Sequence, residues 1–372
     1  MKNSKMNKKV IVLAIGASLV APFAHADVDL FGKAVQVYGK LHGSVDFYNR
    51  GTATATVTDP SGIEITSNAS RLGFKGEKEL ASGLNGLWKF ESEIDLTGES
   101  GTLSARDRYI GLGGSWGSVL LGIHDTPLKI VGSKYSLFGD TVGDRRSILG
   151  QVSTGGDNQF NQRAKSMIMY QYKGDAFGAS AIYSPEFENT SASSSEPDTG
   201  NTGTRETLTG FGLNFKISGF DVAVAYEKQE NIDNTLGKDA NGMRLGIKYT
   251  LGNLQIGGVL EDLKDKGYGA RIARKAYGVN ASYRMANYTF AGQYLKAEES
   301  DLTGGNDGAD QISVGLYNTI SKGAQIYVMH ARLDNDPNAA YQLGRSGHGQ
   351  RFAPTQNGEA VKVTSVGVIY TF

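Results

Sequence analysis

Residues 211–227 read FGLNFKISGFDVAVAYE, and their period decides the fold. Phe211, Leu213, Phe215 and Ile217 alternate with Gly212, Asn214 and Lys216. After Ser218-Gly219 the order resumes, with Phe220, Val222, Val224 and Tyr226 set against Asp221, Ala223, Ala225 and Glu227. A period of two puts one kind of residue on each face of a strand, and a two-residue Ser-Gly break between such runs marks a hairpin. The same alternation recurs outward along the chain. In 87–96, Trp88, Phe90, Ile94 and Leu96 alternate with Lys89, Glu91, Glu93 and Asp95; comparable runs occupy 243–251 and 277–285. Strands are predicted over 34–49, 66–77, 86–96, 105–113, 117–124, 163–173, 176–184, 206–217, 220–229, 242–251, 253–262, 276–285, 287–297, 310–320, 324–333 and 359–372, about sixteen in all. Short turns such as Gly174-Asp175 and Ser218-Gly219 alternate with long polar segments at 50–65, 97–104, 125–161, 185–205, 229–241, 262–275, 297–309 and 334–358. Short connections at one end and long ones at the other describe an up-and-down meander. The predicted fold is all-β, a transmembrane antiparallel up-and-down β-barrel of about 16 strands. An even count lets first and last strands pair, and a barrel of that size encloses water.

Composition is consistent with that class. The 372 residues include 50 Gly, 7 Pro and no Cys, which removes disulfides, thiolate catalysis and thiolate metal sites. Mean hydropathy is −0.31, a hydrophilic value that a barrel with a polar lumen also gives. Residues 1–26 place Lys2, Lys5, Lys8 and Lys9 before an apolar run from Val10 to Val20 and end in Ala24-His25-Ala26, the pattern of a cleaved signal peptide. The domain plan is therefore a signal peptide at 1–26 and one barrel domain at 27–372. Cleavage removes four Lys and no acid, so 38 basic residues become 34 against 38 acidic and the net charge is −4. That balance argues against a nucleic-acid partner.

Several stretches resemble the trimeric general porins of Gram-negative bacteria. Val37-Tyr38-Gly39-Lys40-Leu41 looks like that family's first strand, and Ser70-Arg71-Leu72-Gly73-Phe74-Lys75-Gly76 with Gly83 to Trp88 its second and third. Arg106, Tyr109 to Leu112, Gly117 to Gly122 and Asp125 to Lys129 are similar to the fourth and fifth strands entering the long third loop. Phe138 to Arg145 is similar to that loop, and Val366 to Phe372 to the last strand. One departure is Ile123, followed by His124, where family members commonly carry Arg after the Gly matching Gly122. The resemblance implies a passive outer-membrane diffusion channel for ions and small hydrophilic solutes, a homotrimer, and the long third loop folded into the lumen. Outer-membrane lipid, lipopolysaccharide and the outer-membrane assembly machinery are the further expected partners. A substrate-specific sugar or phosphate channel, or an adhesin with a blocked lumen whose loops 185–205 and 334–358 bind a partner, are the alternatives.

A diffusion pore needs charges at a narrow zone rather than a nucleophile. Leu72 and Phe74 claim the lipid side of their strand, so Arg71, Lys75 and Glu77 face inward. The same parity turns Arg163 and Lys165 inward, opposite Ile168, Tyr170 and Tyr172. With the loop in the lumen, Asp140 and Asp144 supply its acids, with Arg145 beside them. Opposite charges about 8 Å apart interact by roughly 2 kcal/mol at an effective dielectric near 20, enough to bias ions without trapping them. Ile123 and the net charge of −4 point to weak cation selectivity. Val366, Val368, Tyr370 and Phe372 share one face of the last strand and read as an assembly signal. No catalytic residue, metal or cofactor is expected. His42-Gly43-Ser44 lacks an orienting acid and a nucleophile elbow, His330 and His348 stand alone, and Asp301, Asp307 and Asp310 do not keep EF-hand spacing.

Overall fold

The computed structural model describes residues 28–29, 33–98, 103–151, 159–187, 205–232, 237–265, 272–302 and 304–372. The signal-peptide reading of 1–26 and the Ser/Thr-rich stretch 188–204 lie outside the described residues. Sixteen antiparallel strands form a closed ring: β1 (Gln36–Asn49), β2 in two parts (Ser61–Ser67 and Arg71–Ala81), β3 (Leu84–Glu93), β4 (Ser104–Gly114), β5 (Gly117–Asp125), β6 (Arg163–Lys173), β7 (Phe177–Ser184) and β8 (Thr207–Ile217). The ring continues with β9 (Phe220–Glu230), β10 (Ala240–Leu251), β11 (Leu254–Asp265), β12 (Ile272–Met285), β13 (Tyr288–Ala297), β14 (Ala309–Ser321), β15 (Ala324–Asn335) and β16 (Val361–Thr371). Each strand pairs with its sequence neighbours, and β16 pairs with β1 from Lys362↔Asn49 to Thr371↔Lys40. Closure leaves no lateral edge in the membrane. A short piece, Val28–Asp29, adds to β1.

Alternation accounts for the two faces. Phe211, Leu213, Phe215 and Ile217 are exposed on the outside of β8, while Gly210 and Gly212 at the alternate positions are buried inside. Ser218 and Gly219 both have positive φ (48° and 83°), as a tight primed hairpin turn requires. Aromatic rings gather near the short turns, including Tyr172 with Phe177, Phe177 with Phe215 and Phe220 with Tyr249, and form a girdle of the interfacial kind. Among the described residues no helix is long and apolar enough to cross a membrane.

Several strands run beyond their predicted ends. β2 starts at Ser61 rather than 66, pairing with β1 from Asn49 to Gly43, and Ala69, with φ of 45°, breaks the parity between its two parts. β11 and β12 extend to Asp265 and from Ile272. Above the lipid edge both faces are polar, so alternation loses its contrast there. β3 ends at Glu93, short of Ile94 and Leu96.

The apolar core lies inside the ring. Segment 126–151 leaves β5 through helix α1 (Pro127–Lys134), whose N-cap Thr126 accepts from the Lys129 N–H. Leu128, Val131, Tyr135 and Phe160 pack on Ala223, Ala225, Ala240 and Leu263 of the wall. Farther on, Leu137, Phe138, Val142, Ile148 and Leu149 pack with Tyr317, Tyr327 and Met329. A segment that touches β9 to β15 on one side and Lys40 and Arg71 on the other has to cross the lumen. Small wall residues make room for it: a Cβ on Gly246 would lie 2.2 Å from the Tyr135 ring.

Candidate functional site

The waist of the lumen runs along the inner face of β1 to β6, opposite the bulk of segment 126–151. Strand register sets Lys40, Arg71 and Glu93 in one row. A bulge between β3 and β4 places Arg106 and Asp107 together opposite Glu91, since Phe90 pairs with Arg108 and Ser92 with Ala105. Both side chains join the inner cluster: Arg106 reaches Glu91 (2.6 Å) and Glu93 (2.9 Å), and Asp107 accepts from Lys89 (2.9 Å) and Arg163 (2.9 Å). Arg163 also pairs with Asp125 (3.1 Å), which holds Lys129 of α1 (2.8 Å). Tyr38 donates to Glu91 at 2.8 Å, and Lys75 lies 5.1 Å from the centre of the Tyr38 ring.

The loop answers this wall through Asp140, which binds Lys40 (3.0 Å), Arg71 (3.3 Å) and Arg146 (2.9 Å). Burial alone raises the Asp140 pKa, but these three cations hold it well below the usual carboxylate range. Arg146 is in turn gripped by Asp144 (2.6 Å) and donates to the Ser346 carbonyl (2.8 Å). Burial, with Arg163 nearby, lowers Lys129 to about 7 even though Asp125 pulls it back up. Arg71, Arg163 and Arg106 keep about a fifth or less of their side-chain surface open, and the acids Glu93 and Asp125 of the same cluster are open beside them, so charges of both signs reach the waterway.

A second segment, between β15 and β16, folds onto the first. Arg345 donates to Gln151 (2.6 Å), and His348 lies buried against Asp46 of β1 at 2.9 Å. Gly349 donates to Asn68 (3.0 Å), and Tyr341, Leu343 and Phe352 join the interior core.

The sequence matches the Gram-negative porin family model over residues 10–339. The chain belongs to the Gram-negative porin family. Among relatives, the major outer membrane protein P.IB of Neisseria sicca is 28% identical over 343 residues, 85% of this chain and 91% of that protein. Outer membrane porin protein 32 of Delftia acidovorans is 25% identical over 99% of this chain and 100% of its own. In structure, the anion-selective porin from Comamonas acidovorans superposes with a TM-score of 0.76 at 22% identity, over 91% of this chain and 99% of that one, which speaks for the fold. This porin is an outer-membrane diffusion channel for small solutes, built as a closed 16-stranded barrel.

The expected residues fall into two groups in this porin. Arg71, Arg163 and Asp140 meet at the waist, and Lys75 lies on the same wall nearer the turns. Asp144, Arg145 and Lys165 do not line the waterway. Asp144 is fully buried, capping the turn Arg145–Ser147 and fixing Arg146. Arg145 is turned back toward the Lys129 carbonyl and Asn161, with burial lowering it to about 9. Lys165 is exposed outside the ion-pair cluster, because a bulge with Ser166 at φ 45° interrupts the parity used to place it. Lys40, Lys89, Arg106 and Asp107 are the waist residues that reading missed. Parity already puts Lys89 inward, whereas Arg106 and Asp107 share a face only through the bulge. The missing Arg at Ile123 is matched by a bulge at Gly122, with His124 turned inward beside Tyr109.

The long polar segment 334–358 turns its middle part inward, where Tyr341, Leu343 and Phe352 are buried, while its two ends stay exposed. His348 does not stand alone, since it pairs with Asp46; His330 is exposed and contacts Thr364 at 2.9 Å. Asp307 is engaged by Arg274 and Ser300, and Asp310 by Tyr294 and Lys296, which leaves no acidic cage at Asp301, Asp307 and Asp310.

Proposed function

We propose that the waist favours small anions over cations of equal size, and that the working unit is a homotrimer without catalytic activity. The observation that carries the selectivity is Asp140 shared by three cations, with Arg71 and Arg163 partly open to the waterway. Net charge of the chain pointed the other way, toward cations. It counts acids on the long loops, which salt screens from the lumen beyond roughly 8 Å. The balance inside the waist acts directly on a permeating ion. The name of the Comamonas protein, an anion-selective porin, agrees in direction.

The trimer rests on likeness to a Vibrio cholerae OmpT structure described as a trimer form, at a TM-score of 0.66. Detergent-extracted protein with the mass of three chains supports it, and a monomeric particle opposes it. Absence of catalysis is supported by the former hydrolase candidates: His42 bonds to Tyr327 and Ser44 to Asp46, Thr66 and Asn68, all buried. Swelling of proteoliposomes in iso-osmotic solutes of matched size tests the selectivity. Faster entry of the anionic member is expected; equal or slower entry contradicts the proposal.

A further inference from the structure

Two residues before the turn Ser218-Gly219, the barrel carries a second group of charges away from the waist. Register pairs Lys216 with Asp221 across β8 and β9, and Asp221 with Lys248 across β9 and β10, so the three stand in one row. They face the lumen. On the same parity Gly212 abuts Pro127 and Gly246 abuts Tyr135, both in the in-folded segment. From above, Lys134 at the end of α1 reaches the Asp221 Oδ1 at 2.7 Å, and the Tyr135 hydroxyl donates to the same oxygen at 2.6 Å.

Three ammonium groups thus surround one carboxylate. Lys134 takes that carboxylate at contact distance, whereas Lys216 and Lys248 form no close ion pair among the described residues, and Lys248 lies within electrostatic reach of Asp221 and of both other lysines. Lys216 is exposed and Lys248 and Lys134 are half-buried, so a solute in the lumen can touch all three. The carbonyl of Tyr135 that ends the helix is occupied by the Asn280 amide at 2.8 Å and does not confront an incoming anion. Ammonium donors hydrogen-bond strongly to oxyanions, and unpaired like charges held together are relieved when a counter-charge enters.

We propose that Lys134, Lys216 and Lys248 form a binding station for a small oxyanion carrying two negative charges, of the inorganic phosphate class. Short turns mark the periplasmic end of an outer-membrane barrel, so the station lies at the inner mouth, where an anion that has passed the waist dwells before release. The proposal rests on the reading of this porin as an open channel.

Chloride current through the channel in a planar bilayer, measured while inorganic phosphate is added in mildly alkaline buffer, tests it. Phosphate is expected to reduce the current saturably. In Lys216→Gln/Lys248→Gln the half-inhibiting concentration should rise about tenfold or more, with a smaller rise in Lys216→Gln alone, whose exposed side chain the barrel does not need for folding. Lys322→Gln, which removes a charge from the turn Ser321–Gly323 at the same mouth, should leave it unchanged. Normal chloride steps without phosphate inhibition, or equal inhibition in the double variant, overturn the station while leaving the channel intact. Absence of any chloride step overturns the channel reading itself.

Discussion

Asp140 accepts from Lys40, Arg71 and Arg146, and removing its charge leaves Lys40 and the partly open Arg71 without the acid they share, while Arg146 keeps Asp144. Asp140→Asn should move the reversal potential in a salt gradient further toward anions. Asp144, two side chains away, is expected to behave differently. It is fully buried and holds Arg146 in place, and breaking a buried pair of this kind costs roughly 3 kcal/mol. Asp144→Ala should therefore give a noisier current from a loosened loop with little change in reversal potential. An equal selectivity shift in both variants would place Asp144 at the waterway after all.

Lys129 adds a pH dependence. Burial and Arg163 lower it to about 7, so it is cationic in acid and loses its proton as pH rises through neutrality. Anion preference should fall between about pH 6 and about pH 8, and Lys129→Gln should flatten that change. A flat wild-type profile would mean that Asp125 keeps Lys129 charged throughout.

At the level of elements, the sequence was readable where parity ran unbroken and unreadable where a bulge or a distant partner intervened. Arg71 and Lys75 share the face opposite Leu72 and Phe74, whose exposure on the lipid side fixes the parity of their strand. Arg106 with Asp107, and Lys165 beside Ser166, sit at bulges, where two residues oppose one on the next strand; that count depends on pairing and not on local pattern. Segment 336–360 has no period at all, and the inward turn of its middle part depends on Arg146, Gln151, Asp46 and Asn68, which lie far away in sequence. The fit of segment 126–151 depends on absent side chains in the wall. Gly246→Val would drive a side chain into the Tyr135 ring, displace α1 and break the Lys134 contact with Asp221. Single-channel conductance should change markedly in this variant but not in Gly43→Ala, where a Cβ meets only the Thr66 carbonyl at 3.6 Å.

Across the whole molecule, closure and assembly converge on one seam. The Phe372 ring covers Gly39, where a Cβ would lie 2.4 Å from it, and the two residues exchange backbone hydrogen bonds of 2.9 and 3.1 Å. Val366, Val368 and Tyr370 are exposed on the lipid face of the same strand. Phe372→Asp is expected to lower the amount of barrel reaching the outer membrane far more than it lowers the stability of barrel refolded in detergent. Normal outer-membrane levels would remove the seam from the assembly step.

The waist itself is the centre of the account: a water-filled path whose ion preference is set by Arg71 and Arg163 against Asp140. Reversal potential across a planar bilayer in a tenfold salt gradient at low ionic strength, where screening is least, measures it directly. Stepwise conductance with an anion-favouring potential, moved toward cations by Arg71→Gln/Arg163→Gln, is the predicted result. Conductance steps whose potential does not move when both guanidiniums are removed would contradict it.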